Sequence, residues 1–267
     1  RQGHELPQKL LRFRELGKLK STYVDALPQL VAADGRLHTR IQQAVAATGR
    51  LSSVNPNLQN IPVRTEQGQK IRKAFHAGPG RLLLVADYSQ IELRVLAHIA
   101  QEPAMLEAFR GGEDIHRTTA ATVLGVSPDL VSSDQRRAAK TINFGLIYGM
   151  SAYGLSQALG ITTKEAEQFM AAYFARFGGV QDYMQRTLAA AESDGKVETL
   201  YGRVRHLPEL KSPNFAVRDN GRRIAINARI QGTAADLLKL AMIAVDRRLR
   251  AEHPEARLLL SVHDELV

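Results

Sequence analysis

The 267-residue sequence contains no cysteine. Disulfide bridges, thiolate zinc sites and cysteine nucleophiles are therefore excluded. No apolar run approaches the roughly 18–20 residues of a membrane span, and the N-terminus lacks a signal-peptide core. A GxxxxGK[ST] loop is missing too, which removes P-loop ATPases and kinases. No repeat, low-complexity tract or obvious linker interrupts the text. The chain starts without Met inside a helical pattern and stops two residues after Val262-His263-Asp264-Glu265, so it reads as a fragment of a longer protein.

What is present is basic. Lys and Arg number 36 against 27 Asp and Glu, a net charge of +9, and a polyanion is the natural partner of such a surplus. Residues 1–20 carry Arg1, Lys9, Arg12, Arg14, Lys18 and Lys20 against Glu5 and Glu15, and Arg222, Arg223, Arg247, Arg248 and Arg250 recur later. Charge alone equally describes an ordinary basic soluble protein. The length suits one large domain or two modest ones with a real core.

Residues 5–33 read as helical, with Pro28 marking a boundary. Residues 36–50 alternate like a strand, and Asn55–Pro62, with two prolines and three asparagines, reads as an ordered loop. Leu82–Ala86 is a continuous apolar run of strand length, which predicts a strand buried on both faces. From Ser89 to about Asp194 the pattern is helical and punctuated by Gly and Pro. Ser132 with Gln135, and Thr162 with Glu165, have capping-box spacing at two helix starts. Residues 197–207 predict a hairpin around Tyr201-Gly202, residues 216–249 a long helix, and Leu258–Val262 a further strand. The result is an α+β chain whose key strands are separated by a helical insertion.

Two acidic motifs frame that insertion. Asp87 and Asp264 each follow an apolar run of strand length, which would set both at strand ends of one sheet, sharing divalent cations. Magnesium takes oxygen ligands, usually one or two carboxylates with phosphates and water. An Asp after a strand is also an ordinary turn former or helix cap. Between the two, Arg136, Lys140, Phe144 and Tyr148 recur at every fourth position and form one stripe on a helix. Arg offers a rigid fork for phosphate oxygens and Lys a compact charge; the rings suit a base. The plainer reading is an amphipathic helix with a solvated basic face. Gly145 lies inside this helix at a cost of about 1 kcal/mol relative to Ala, which points to close packing or an approaching ligand. Ser89 and Glu92 have capping-box spacing as well.

The segments DYSQIELR, RRAAKTINFGLIYG and VHDE resemble motifs A, B and C of family A DNA polymerases, the bacterial DNA polymerase I type. TGRLSSVNPNLQNIP, GEDIHRTTA and INARIQGTAAD match in the same order, and the resemblance runs from about Lys18 to Val267. It implies an antiparallel palm sheet with a large helical fingers insertion, a hand-shaped polymerase fold lacking most of the thumb. Residues 1–35 would end the thumb and join it to the palm, and 36–100 would be the first part of the palm. The fingers would follow over 101–210, with the motif B helix at 132–149. Residues 211–267 would complete a palm truncated at its C-terminus.

The resemblance also implies roles. Asp87 and Asp264, with the carbonyl of Tyr88, would hold two Mg²⁺ ions, for which Mn²⁺ is a possible substitute, and Glu265 would stand beside them. Arg136 would grip the γ-phosphate, and Lys140 the α-phosphate region while protonating the leaving group. His116 would contact the β-phosphate, Phe144 the sugar and Tyr148 the template position, with Gln90 also at the nucleotide. Glu92 would lie where a 2′-hydroxyl projects and so exclude ribonucleotides. Arg50, Asn227, Gln231 and His263 would touch primer–template DNA, where minor-groove acceptors are readable without dictating sequence. Arg229 stands where many relatives have a proline or small residue, which puts local helix geometry in question. The implied protein is a monomeric, cytoplasmic, nucleoid-associated bacterial enzyme with DNA and dNTPs as partners and no membrane. The rivals are a catalytically impaired nucleic-acid-binding fragment and a single-subunit RNA polymerase.

Overall fold

Backbone pairing partners, more than apolar runs, decide where this chain forms strands. The computed structural model describes residues 4–63 and 65–267 and divides into two units, Arg1–Tyr88 with Ala241–Val267 and Ser89–Leu240. Arg1, one of the N-terminal cations, lies outside the described residues. Among those described, no helix is long and apolar enough to cross a membrane.

The first unit opens with α1 (Glu5–Leu19), a π-helical turn at Lys20–Val24 and α2 (Ala26–Gln29). Pro28 sits inside α2, not at its edge, and the helical text ends at Leu30. The alternation over residues 36–50 yields only β1 (Arg40–Gln42), because residues 43–49 bend and turn; β1 pairs antiparallel with β2 (Ser52–Val54). The asparagine-proline loop is ordered by hydroxyls. Ser53 Oγ and Thr39 Oγ1 donate to the Pro56 carbonyl at 3.2 and 2.8 Å, and the Leu58 amide donates to Ser53 Oγ at 3.0 Å. Gln59 Nε2 then donates to the Ser261 carbonyl at 3.0 Å, tying the loop to the second acidic motif. α3 (Glu66–Arg72) follows, capped by Thr65.

The expected buried strand at Leu82–Ala86 is not there. Only β3 (Ala86–Asp87) is a strand, and Leu82 and Leu84 are 96% and 81% exposed. No described residue pairs with the backbone of 82–85, and an apolar run without a ladder partner stays irregular.

The second unit is mostly helical: α4 (Ile91–Ala100), α5 (Pro103–Arg110), α6 (Ile115–Leu124), α7 (Ser133–Ile147), α8 (Ala152–Leu159), α9 (Thr163–Arg176) and α10 (Gly178–Asp194). Both predicted capping boxes form, Ser132 with Gln135 and Thr162 with Glu165. The core gathers Leu93, Leu96, Ile115, Leu146, Tyr173 and Phe177. Ala120, Ala121 and Ala139 let α6 and α7 approach closely. The hairpin β4 (Lys196–Glu198) and β5 (Val204–His206) packs through Val197 and Leu207 on Ala225 and Ala228 of α11 (Phe215–Glu252). Arg229 does not disturb that helix. Its guanidinium donates to the Glu198 carbonyl at 3.0 Å and lies over the Tyr183 ring at 5.8 Å, fastening α11 to its neighbours.

The chain returns to the first unit within α11, at Ala241, and then forms the hairpin β6 (Ser261–Val262) and β7 (Glu265–Leu266). The sheet order is β3-β7-β6, all antiparallel. The predicted strand Leu258–Val262 is shorter than its apolar run, although the ladder continues where the Val267 amide donates to the Leu260 carbonyl at 2.9 Å. The α+β class holds: a few small antiparallel sheets and a large helical insertion in the sequence between β3 and β6.

Candidate active site

In the first unit, Asp87 ends β3 with Glu265 as its partner in register across to β7. Directly opposite residues of an antiparallel pair project on the same face. The Tyr88 amide donates to the Asp264 carbonyl at 3.2 Å, so the chain around Asp87 is fastened to the hairpin turn that carries Asp264. Asp87, Tyr88, Asp264 and Glu265 are thus brought together. His263 occupies the same turn with φ +52°, and Arg50 reaches Asp264 with an N–O separation of 3.7 Å. Burial raises the Asp264 pKa above the ordinary carboxylate range; Arg50 and His263 oppose that rise, and the charge of Asp87 adds to it.

Hard oxygen donors under mutual repulsion, with a guanidinium at the margin, form a site that a divalent cation would relieve. The oxygen donors suit a hard divalent cation. Asp87 and Asp264 are the residues that could hold one, although among the described residues no group of three or more His, Cys, Asp or Glu side chains comes together to do so.

In the second unit, α7 presents the stripe as expected. Arg136 is not free: its Nε donates to Asp114 Oδ2 at 2.5 Å. Asp114 is the N-cap of α6 and accepts from the His116 and Arg117 amides. Burial pushes the Asp114 pKa up, but the Arg136 bond and these amides outweigh it and hold the carboxyl below its usual range. Lys140 is exposed one turn further on. His116 is 2% exposed, with its ring 5.8 Å from that of Phe144, and Phe144 stands 6.1 Å from Tyr148. Burial lowers the His116 pKa to about 4; Asp114 opposes this, while Arg136 and Lys140 reinforce it. At neutral pH the imidazole is therefore uncharged.

Tyr148 sits at the C-cap of α7, where the chain turns in a Schellman arrangement. The Met150 amide donates to the Gly145 carbonyl at 2.8 Å, and the Gly149 amide to the Leu146 carbonyl at 3.0 Å. This requires Gly149 in the left-handed region, at φ +71°, and a Cβ there would come within 2.8 Å of Arg223. The puzzle of Gly145 resolves as close packing, because a Cβ on it would lie 3.0 Å from Met150 Sδ. The Tyr148 hydroxyl donates to Glu92, which is 5% exposed in the first turn of α4. The capping box at Ser89 does not form. Gln90, left-handed at φ +56°, is the N-cap without a side-chain bond, and the Glu92 carboxylate turns inward. Asn227 and Gln231 lie one turn apart on α11, and Asn227 Oδ1 is buried with no partner among the described residues.

Sequence reasoning missed Asp114 and Asn143. The first had a signal, an Asp immediately before a helical pattern. The second is a polar residue on the buried side of α7, between Ile142 and Leu146.

The family model for DNA polymerase family A matches residues 1–267. The chain belongs to DNA polymerase family A. Among relatives of this family, it is 57% identical over 267 residues to DNA polymerase I of Pseudomonas aeruginosa, covering 100% of this chain and 29% of that protein. It is 56% identical over 268 residues to the thermostable DNA polymerase I of Thermus filiformis, covering 100% and 32%. The chain thus spans about a third of these curated relatives. A solved family A structure, the polymerase domain of Pol1 from M. smegmatis in complex with DNA primer-template and dNTP, superposes with a TM-score of 0.95 at 50% identity, over 99% of this chain and 47% of that one.

Proposed function

We propose that this chain carries the active site of a template-directed DNA polymerase, which extends a primer 3′ end with deoxynucleotides and releases pyrophosphate. Residues 36–100 and 211–267 act as palm and 101–210 as fingers, with 1–35 closing the thumb. The observation that carries the reading is the stripe Arg136, Lys140, Phe144 and Tyr148 on one helix, with the buried Glu92 carboxylate under the Tyr148 hydroxyl. Support comes from family membership and from the primer-template and dNTP in the related Pol1 structure.

In the reaction the primer 3′-oxygen bonds to the α-phosphorus while the bond to the β-phosphate oxygen breaks. Arg136 exchanges Asp114 for γ-phosphate oxygens, His116 donates to the β-phosphate, and Lys140 gives its proton to the departing pyrophosphate. Asp87 and Asp264, with the Tyr88 carbonyl, would hold two Mg²⁺ ions, with Glu265 beside them; Mn²⁺ is the substitute to try. Bound there, the ions would acidify the 3′-hydroxyl, whose proton passes to solvent water, and would offset the charge on the leaving oxygen. Catalysis is otherwise positioning and electrostatics. Phe144 packs on the sugar, Tyr148 and Gln90 border the nucleotide, and Glu92 occupies the space a 2′-hydroxyl needs. Arg50, Asn227, Gln231 and His263 contact the primer–template. The setting is the cytoplasm of a bacterium, with the protein acting as a monomer.

Primer extension with Mg²⁺, offering dNTPs or rNTPs and using Asp87→Asn as control, tests this. Extension with dNTPs alone, lost in the variant, is expected. Near-normal turnover by Asp87→Asn would overturn the two-metal assignment, and equal use of rNTPs would overturn the deoxynucleotide reading.

A further inference from the structure

Behind the phosphate-facing stripe lies a buried polar chain that the proposed reaction does not by itself require. Thr119, Asn143 and His116 are 0%, 0% and 2% exposed. Thr119 Oγ1 lies 3.1 Å from Asn143 Oδ1, and Asn143 Nδ2 lies 3.0 Å from His116 Nδ1. All three sit where α6 and α7 approach through alanines.

We propose that Asn143 is a positioning residue, which, oriented by Thr119, holds His116 in the tautomer that carries its proton on Nε2. The proposal rests on the reading of His116 as a triphosphate contact.

With the amide oriented so that Oδ1 faces Thr119 and Nδ2 faces His116, the donors and acceptors follow in order. An amide oxygen buried from water needs a donor, and the Thr119 hydroxyl supplies one. That hydroxyl also lies 2.8 Å from the Ile115 carbonyl, but helical geometry already gives this oxygen the Thr119 amide. With Asn143 Oδ1 taken, Nδ2 faces the imidazole as a donor and Nδ1 must offer its lone pair. A neutral imidazole has one N–H, and it is then on Nε2. Protonating Nδ1 would set two donors against each other. Asn143 thus opposes the imidazolium, in the same direction as burial and the cations Arg136 and Lys140 and against Asp114. A carboxylate at position 143 would do the reverse. The consequence is a histidine that always presents an N–H, never a lone pair, to an anionic ligand.

The ¹⁵N spectrum of the His116 imidazole in the whole chain at pH 7, assigned by its loss in His116→Gln, tests the tautomer without any appeal to activity. Protonated Nε2 with bare Nδ1 is expected, and a proton on Nδ1 would overturn the proposal. Thr119→Val should mix the tautomers and weaken dATP binding in proportion to the Nε2–H fraction lost, about twofold for an even mixture, with Thr119→Ser restoring both. Should Thr119→Val fold poorly, the parent spectrum still decides the tautomer. A mixed tautomer with unchanged dATP affinity would also overturn the proposal. Failure of the polymerase reading would appear separately, as a parent chain that neither binds dATP nor extends a primer while its His116 spectrum remains readable.

Discussion

The hydroxyl of Tyr148, at the end of one helix, donates to the carboxylate of Glu92 in the first turn of another, 56 positions earlier in the chain. The carboxylate is therefore held in place beneath a ring, not left to swing in solvent. If this pair forms the wall against a 2′-hydroxyl, Glu92→Ala should raise ribonucleotide incorporation strongly. Tyr148→Phe should raise it less, by about tenfold, because it removes one donor to a charged group and leaves the carboxylate. Competition between dNTP and rNTP in single-nucleotide extension measures both. Unchanged sugar discrimination in Glu92→Ala would remove the gate.

Arg136 and Asp114 separate into distinct effects. Asp114 serves as helix cap and as ion-pair partner, whereas Arg136, among the described residues, serves the pair and, in the proposed reaction, the γ-phosphate. Asp114→Ala should lose the cap, about 1 kcal/mol, and lower Tm by roughly 2–4 °C. Asp114→Asn keeps a competent cap and should lie near the parent in Tm. Arg136→Ala should leave Tm nearly unchanged and raise the dNTP KM about tenfold or more, the scale of a lost charge-assisted phosphate bond. Thermal melts beside steady-state kinetics read the contrast, and a KM unmoved in Arg136→Ala would refute the phosphate role.

Much of this arrangement was legible in the text because it depends on local chemistry. The stripe from Arg136 to Tyr148 needs only helical periodicity, and the capping boxes at Ser132 and Thr162 need only a side chain and its own turn. What escaped depends on distant partners. Leu82–Val85 looks like a strand by composition, but strand formation requires a second backbone, and β7 offers only Glu265 and Leu266 to Ala86 and Asp87. Ser89 and Glu92 have capping-box spacing, yet Tyr148, far away in sequence, takes the carboxylate. Asn143 hides for the same reason, since its meaning comes from His116 and Thr119 on another helix.

Asp264 predicts a trade between stability and chemistry. Its pKa is raised by burial, with Arg50 opposing and Asp87 adding to the rise. A carboxyl whose folded pKa is raised opposes folding once pH exceeds its unfolded value, and does so fully above the folded one. At neutral pH without metal, Asp264→Asn should therefore raise Tm, by about 2 °C. Added Mg²⁺ should stabilise the parent, because it binds the native state, and leave the variant unmoved. Calorimetry in EDTA and in Mg²⁺ measures both. A lower Tm for the variant in EDTA would mean the Arg50 contact outweighs the repulsion.

His116 gives the last prediction its pH window. In the unfolded chain the ring titrates near 6.5, and in the fold burial holds it down to about 4, with Arg136 and Lys140 assisting and Asp114 resisting. Between those values the unfolded chain takes up a proton that the native chain refuses. The stabilisation is thus fully present above about pH 6.5, is lost as pH falls toward 4, and stays constant below that. A shift of this size amounts to about 3 kcal/mol. Urea midpoints of the parent and of His116→Gln, taken from pH 7.5 to 4.5, isolate the effect, because the carboxylates common to both largely cancel. The parent should lose stability faster than the variant across this range. Parallel curves would mean that His116 titrates like an exposed imidazole, and the picture of an uncharged donor beside the triphosphate would have to be given up.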